Sequence, residues 1–146
     1  WSHIANVKNN PRMKIPVFGN GDVNTPEQAK KMRNDFGLDG AMIGRASIGN
    51  PWFFSQVKHF LKTGTHLIPP TLNEKVEVAR NHLKMAIRWK GENLGVLETR
   101  RHYTNYFKGI PNFKHLRTKL VTLNYSTQVF EVFDQIIEEF AINQAI

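Results

Sequence analysis

Ile15-Pro-Val-Phe-Gly-Asn-Gly-Asp22 and, one helix later, Ala41-Met-Ile-Gly-Arg45 decide how this chain folds. Each is a short apolar run entering a glycine-containing turn, the pattern of a strand buried on both faces that ends in a loop. Between them, Thr25-Pro-Glu-Gln28 is a helix start, with Thr25 as N-cap, Pro26 at the first helical position and Gln28 closing a capping box. Ala29, Met32 and Phe36 form the apolar stripe of that helix, and Gly37 stops it. Strand, turn, helix, strand, turn is the order of two consecutive βα units of a parallel sheet. Both turns then open at the carboxyl ends of the strands, where such sheets bind ligands.

Working outward, Trp1–Asn9 has the pattern of a helix end stopped by Asn9-Asn-Pro11. Asn50-Pro51 opens another helix, with Trp52, Phe53, Val57, Phe60 and Leu61 apolar and a stop near Gly64. The composition then changes. His66-Leu-Ile-Pro-Pro70 has the character of an extended linker, and no strand pattern follows it. Thr71-Leu-Asn-Glu74 is a capping box opening a helix with the stripe Val76, Ala79, Leu83, Ala86 and Ile87. Helices are expected over about 96–108 and 113–123, and a last one is capped by Ser126 and carries Val129, Phe130, Phe133, Ile136, Ile137 and Phe140. Four striped helices with short connections predict a small bundle.

Composition narrows the function classes. The chain has 146 residues and no cysteine, which excludes disulfides, thiolate metal sites and a cysteine nucleophile within it. Its apolar runs are far too short to span a bilayer. Trp1–Asn6 has neither the charged nor the apolar region of a signal peptide. The sequence lacks an initiator Met and starts inside a helical pattern, so a piece of a longer protein is expected. The formal charge is +8, and between positions 80 and 119 ten Lys/Arg face only Glu92 and Glu98. That excess fits either a polyanion partner or a solvated basic surface.

The paired turns suggest a phosphate cup. Glycine lets backbone N–H groups approach an anion, and Arg45 adds a forked cation. The helix start at Asn50-Pro51 is expected to lend its positive end. Each turn alone is more often an ordinary turn, with Asp22 capping backbone; the pair, one βα unit apart, is what points to a site. In the helical half, Arg80, Lys84 and Arg88 recur every four residues along one face. Arg101, Asn105 and Lys108 share another, with Arg100 beside it and Lys114, Arg117 and Lys119 following. Such stripes suit phosphate-backbone contacts to RNA. Trp89, Tyr103, Tyr106 and Phe107 fall at helical spacing, so bundle core is expected for them ahead of base stacking. His102 is expected as a hydrogen-bonded structural histidine, with phosphate donor as the other reading.

Two stretches carry a family resemblance. Ile15-Pro-Val-Phe-Gly-Asn-Gly-Asp-Val23 with Gly40-Ala-Met-Ile-Gly-Arg-Ala-Ser-Ile-Gly-Asn-Pro-Trp-Phe53 resembles the end of the FMN-binding TIM barrel of bacterial tRNA-dihydrouridine synthases. Arg100-Arg-His-Tyr-Thr-Asn-Tyr-Phe-Lys-Gly109 resembles the Arg-Lys-His…Trp-Tyr-x-Lys-Gly signature of their C-terminal helical domain, with Asn105 in place of Trp and Arg101 in place of Lys. The resemblance implies an α/β part, the last two βα units of a TIM barrel over residues 1–65, a linker over 66–72 and an all-α tRNA-binding bundle over 73–146. It further implies an oxidoreductase that reduces uridine to dihydrouridine in tRNA with FMN and NADPH, working in the cytoplasm without a metal or a membrane. By similarity, Asn20, Gly21, Asp22, Gly44 and Arg45 match the FMN phosphate positions. Arg100, Arg101, His102 and Arg117 match the tRNA-binding domain, joined on spacing by Arg80, Lys84, Arg88 and Lys108. No catalytic residue is expected in this chain, because the family's proton-donating cysteine lies upstream of these strands, and the chain alone is expected to be inactive. Two other readings stand beside this one: a stand-alone helical RNA-binding module without a redox role, and another FMN- or phosphate-binding barrel. Two βα units cannot close a barrel, so unpaired strand edges are expected, with the barrel part loosely ordered, dimerising through those strands or packing on the bundle.

Overall fold

The structure is a computed structural model that describes residues 1–141. It falls into two compact units, Trp1–Ile68 and Pro69 onward. Most of it is helical, with two short parallel strands in the first unit. No helix among the described residues is long and apolar enough to cross a membrane, and no group of side chains there could hold a metal ion.

In the first unit, helix α1 (Ser2–Lys8) precedes strand β1 (Phe18–Asn20), helix α2 (Pro26–Asn34), strand β2 (Gly40–Met42), a 3₁₀ turn (Arg45–Ser47) and helix α3 (Phe53–Thr63). The capping box of α2 forms as the residues dictate: the Gln28 amide donates to Thr25 Oγ1 at 3.2 Å, and Gln28 Oε1 accepts from the Thr25 amide at 3.2 Å. β1 and β2 pair in parallel, with Phe18 opposite Gly40, Gly19 opposite Ala41 and Asn20 opposite Met42. Val23, Ala29, Met32, Leu38, Phe53 and Val57 make the core beneath them.

The strand over Ile15–Phe18 is displaced. Pro16 has no N–H for a ladder, and the Val17 amide donates to the Asp39 side chain at 2.7 Å while the Asp39 amide donates to the Val17 carbonyl at 3.0 Å. Asp39 therefore brackets the chain before β1, and pairing starts only at Phe18. Lys8 Nζ lies 2.6 Å from the same carboxylate, and these two donors, Lys8 first, hold Asp39 below the usual carboxylate range. The expectation of strands buried on both faces also fails. Phe18 is 65% exposed and Met42 60%, on the same outer face, whereas Gly19 is buried against Met32 and Leu38. Helix α3 begins at Phe53, three residues beyond Asn50, and ends on Gly64 in the left-handed conformation (φ 77°).

The second unit contains α4 (Leu72–Lys90), α5 (Glu92–Tyr106), α6 (Lys114–Thr122) and α7 (Ser126–Ile136), the last running on into a π turn (Ile137–Ala141). The Thr71 capping box of α4 is present, with the Glu74 amide donating to Thr71 Oγ1 at 3.3 Å and the Thr71 amide to Glu74 Oε2 at 2.7 Å. Gly91 reverses the chain (φ 79°) between α4 and α5, so α5 starts four residues before the expected Val96. Val76, Leu83, Val96, Tyr103, Phe107, Phe113, Leu116, Leu120, Val129, Phe133 and Ile136 are fully buried. Tyr103 meets Phe133 edge-on at 5.6 Å, and Phe107 meets Phe113 at 5.3 Å. Tyr103 donates to Thr99 Oγ1 (3.1 Å), which donates to the Gly95 carbonyl (2.7 Å), and burial pushes the Tyr103 phenol up to about 12.

Ser126 does not cap α7; it is the first helical residue, and the carboxylate of Glu92 takes the capping role. Glu92 Oε1 accepts from the Ser126 amide at 2.7 Å, and Oε2 lies 3.1 Å from Ser126 Oγ. At the same corner, the Arg100 guanidinium donates to the carbonyls of Thr122 (3.2 Å) and Leu123 (2.7 Å), which end α6, and to Asn124 Oδ1 (2.7 Å). An anion thus meets the positive end of α7 and a cation the negative end of α6, both from α5.

α4 and α5 pack closely at Gly95. A Cβ there would sit 2.7 Å from the Ile87 amide nitrogen and 2.8 Å from its Cα. In an open helix Gly→Ala gains about 1 kcal/mol, but here the obstacle is backbone that cannot rotate away. Gly95→Ala is therefore expected to destabilise the second unit by about 1–3 kcal/mol and lower its melting temperature by roughly 5 °C or more. A melt equal to or above that of the parent protein would show that the close approach is not required.

Candidate functional site

β1 and β2 deliver their turns to one place. Asn20, Gly21, Asp22, Gly44 and Arg45, the five residues singled out in the sequence, line one cleft with Val23, Asn24, Met42 and Ala46, of about 440 Å³. The register explains the convergence. Asn20 lies opposite Met42, so the chain leaves both strands at the same level, and Gly21-Asp22 and Gly44-Arg45 emerge side by side. Gly21 has φ 151° and Asp22 φ 41°, a backbone that swings the turn over the strand ends. Trp1 Nε1 donates to the Gly21 carbonyl at 2.8 Å and holds that turn. The Asp22 carboxylate and the Arg45 guanidinium form an ion pair across the cleft, and both are exposed. Asn24 Nδ2 donates to the Asp22 carbonyl at 3.2 Å.

The start of α3 does not join this cleft, because neither Asn50 nor Pro51 is among its lining residues. The 3₁₀ turn beginning at Gly44 stands there instead, and its first amides have no carbonyl of their own turn to bond. The sequence reading missed Met42 and Asn24. Strand alternation from Asn20 and Gly40 would have found Met42, since residues opposite and two apart share a face.

The basic residues singled out in the second unit differ in how their charge is used. Arg80 is only 17% exposed: its guanidinium reaches Asp134 at 2.7 Å and Glu77 at 3.4 Å and lies 5.7 Å from the ring centres of Phe130 and Phe133. Arg100 ends α6. These two, expected at an RNA surface, have their charge turned inward onto the bundle. Arg117 is half-buried, its Nε without a hydrogen-bond partner among the described residues. Lys84, Arg88, Arg101 and Lys108 are exposed, and none of the ion pairs among the described residues includes them.

The aromatics divide as well. Tyr103, Tyr106 and Phe107 are buried, as their spacing predicts, but Trp89 is 79% exposed. His102 is half-buried and packs edge-on against His82, ring centres 4.7 Å apart. His82 Nδ1 is 3.2 Å from Tyr106 Oη, and Arg101 Nε donates toward His102 Nε2 at 3.4 Å. His82 carried no signal in the sequence beyond lying seven residues before Trp89.

Burial lowers the pKa of both imidazoles; Arg101 adds to the effect at His82, and His82 and then Arg101 add to it at His102. The unfolded chain therefore takes up protons near 6.5 more readily than the folded one, and stability is lost as pH falls through that value toward the lowered folded pKa. The second unit is expected to melt at a lower temperature at about pH 5.5 than at about pH 7.5, and His82→Gln with His102→Gln to flatten that difference. The same slope in the double variant would exclude the pair as its source.

The family model described as dihydrouridine synthase (Dus) matches residues 1–143. The chain is 36% identical over 124 residues to a probable tRNA-dihydrouridine synthase of Rickettsia conorii, covering 85% of this chain and 37% of that protein. It is 38% identical over 111 residues to tRNA-dihydrouridine synthase B of Pseudomonas putida, covering 76% and 33%, and 34% identical over 138 residues to a probable tRNA-dihydrouridine synthase of Rickettsia bellii, covering 94% and 41%. The chain thus spans between 33% and 41% of the length of these relatives. With the match running through both units, the chain belongs to the dihydrouridine synthase family.

Proposed function

We propose that this chain serves an FMN-dependent tRNA-dihydrouridine synthase, which reduces uridine to dihydrouridine in tRNA with NADPH as reductant. The observation that carries this reading is the convergence of Asn20, Gly21, Asp22, Gly44 and Arg45 on one cleft at the carboxyl ends of two parallel strands. On this reading residues 1–65 are the last two βα units of a TIM barrel, 66–72 a linker, and 73–146 the helices that dock tRNA. The enzyme works where tRNA is, in the cytoplasm.

The cleft fits the phosphate of FMN. Gly44 lines it, and a Cβ built there meets nothing within 4 Å, so the backbone beside Arg45 is open to a ligand. Arg45 has five N–H donors and, among the described residues, a single ion-pair partner, Asp22, leaving donors for phosphate oxygens. The Asp22 carboxylate offsets part of that charge and suits a ligand hydroxyl. When bound, FMN supplies the hydride for the uracil C5–C6 double bond. The residues of this chain would hold and orient its phosphate end, and none of them is a cysteine that could donate the one proton that accompanies the hydride.

In the helical unit, Lys84, Arg88, Arg101 and Lys108 are among the exposed cations that could meet tRNA phosphates. Arg80 and Arg100, internally bonded, shape the bundle that presents them, while His102 and Arg117 stand at its half-buried margin.

Two measurements test the halves separately. Titrated into the protein, FMN is expected to bind more tightly than riboflavin, which lacks the phosphate, and Arg45→Ala to remove about tenfold of that preference. Equal affinity for the two flavins would overturn the phosphate assignment. In gel shifts, Lys84→Glu with Arg101→Glu should weaken tRNA binding at least about tenfold and reduce the salt slope by about one per cation removed. Unchanged affinity would remove these two cations from the RNA surface.

A further inference from the structure

The exposed Trp89 belongs to a built feature. His82, Met85, Ala86 and Trp89 are spaced as one stripe of α4, and across the helix pair Glu98, Arg101 and His102 form a stripe of α5. Together with Lys90 and Thr99 they line a hollow of about 250 Å³. In the sequence the α4 stripe has the spacing of core. In the structure the core between these helices is made one step round by Val76, Ala79 and Leu83 against Val96, Thr99 and Tyr103, so the Trp89 stripe is left at the surface.

A single exposed tryptophan needs no explanation. This one stands with an exposed thioether, Met85, two imidazoles and a guanidinium around one hollow. The polar edge is partly used and partly open. Thr99 Oγ1 is bonded to the Gly95 carbonyl, and Glu98 is paired with Lys90. One nitrogen on each imidazole has no partner among the described residues: His82 Nε2, because Tyr106 takes Nδ1, and His102 Nδ1, because Arg101 faces Nε2. With Glu98 neutralised by Lys90, the charge left in the wall of the hollow is positive, from Arg101. At 250 Å³ the hollow is below the range of drug-sized ligand sites, about 300–1,000 Å³, and suits a single flat ring. A flat ring joined to negative charge, meeting an indole, hydrogen-bonding ring nitrogens and a guanidinium, describes a nucleotide.

We propose that this hollow holds one unstacked nucleobase of an RNA, stacked on the Trp89 indole, with the adjoining phosphate on Arg101. The proposal rests on the RNA-facing reading of the second unit and adds a base-holding residue to it.

The test uses the 146-residue protein, fluorescein-labelled octauridylate, a tRNA transcript, and heparin as a polyanion without bases. Trp89→Ala is expected to weaken octauridylate binding about tenfold, Trp89→Phe to stay within about threefold of the parent, and heparin affinity to be unchanged in both. Because Trp89 is exposed, an unchanged melting temperature should confirm that these variants are folded. If Trp89→Ala binds octauridylate within about twofold of the parent while Lys84→Glu with Arg101→Glu weakens tRNA binding, the base site is overturned and the RNA-facing reading stands. If the parent binds neither RNA, both fall. If Trp89→Ala dissolves a dimer seen in sedimentation and leaves RNA affinity alone, the hollow is a protein contact and the proposal is wrong.

Discussion

The first unit depends on the register of one parallel pair. A slip of one residue between β1 and β2 would carry Phe18 to the inner face, where Met32 and Leu38 leave Gly19 no room for even a Cβ. The same slip would break the bracket that Asp39 places around Val17. Register is thus fixed within and before a three-residue strand, by a central glycine pressed against Met32 and Leu38 and by a carboxylate in front of it. The cleft follows as a consequence, since two chains leaving a ladder at the same level must turn beside each other.

The second unit shows how little a count of positive residues says about a binding surface. Arg80 and Arg100 lie in the same basic stretch as Lys84 and Arg101, yet their guanidinium groups meet carboxylates, aromatic faces and helix-end carbonyls of their own bundle. What separates the groups is the partner. An arginine near a helix C-terminus or an acidic neighbour finds its hydrogen bonds inside the fold, and only cations lacking such neighbours remain for a polyanion.

Much of this was legible in the residues. The capping boxes at Thr25 and Thr71 are local signals and appear as read, because each needs only four residues in order. The five cleft residues were legible because a parallel sheet brings consecutive turns together whatever else the chain does. What was hidden depends on contacts distant in sequence. Ser126 looks like an N-cap until Glu92, 34 residues earlier, takes its place. Trp89 has core spacing, but the face that α4 buries is chosen by where Gly95 lets α5 approach, and periodicity cannot tell two adjacent stripes apart. Phe18 looks buried on both faces because its hydrophobicity says nothing about which neighbours cover it.

The corner between α6 and α7 has a property that no residue in it accounts for. Glu92 and Arg100 are eight residues apart on α5, about 12 Å along its axis. One meets the start of a helix and the other the end of the helix before it. α5 therefore works as a gauge for a joint to which it does not belong, setting both the length of the turn at 123–125 and the direction in which the chain crosses it. A turn one residue longer would leave one mark of the gauge without its match. Apart from Asn124, whose side chain Arg100 also holds, the joint is consequently constrained in length more than in side chain.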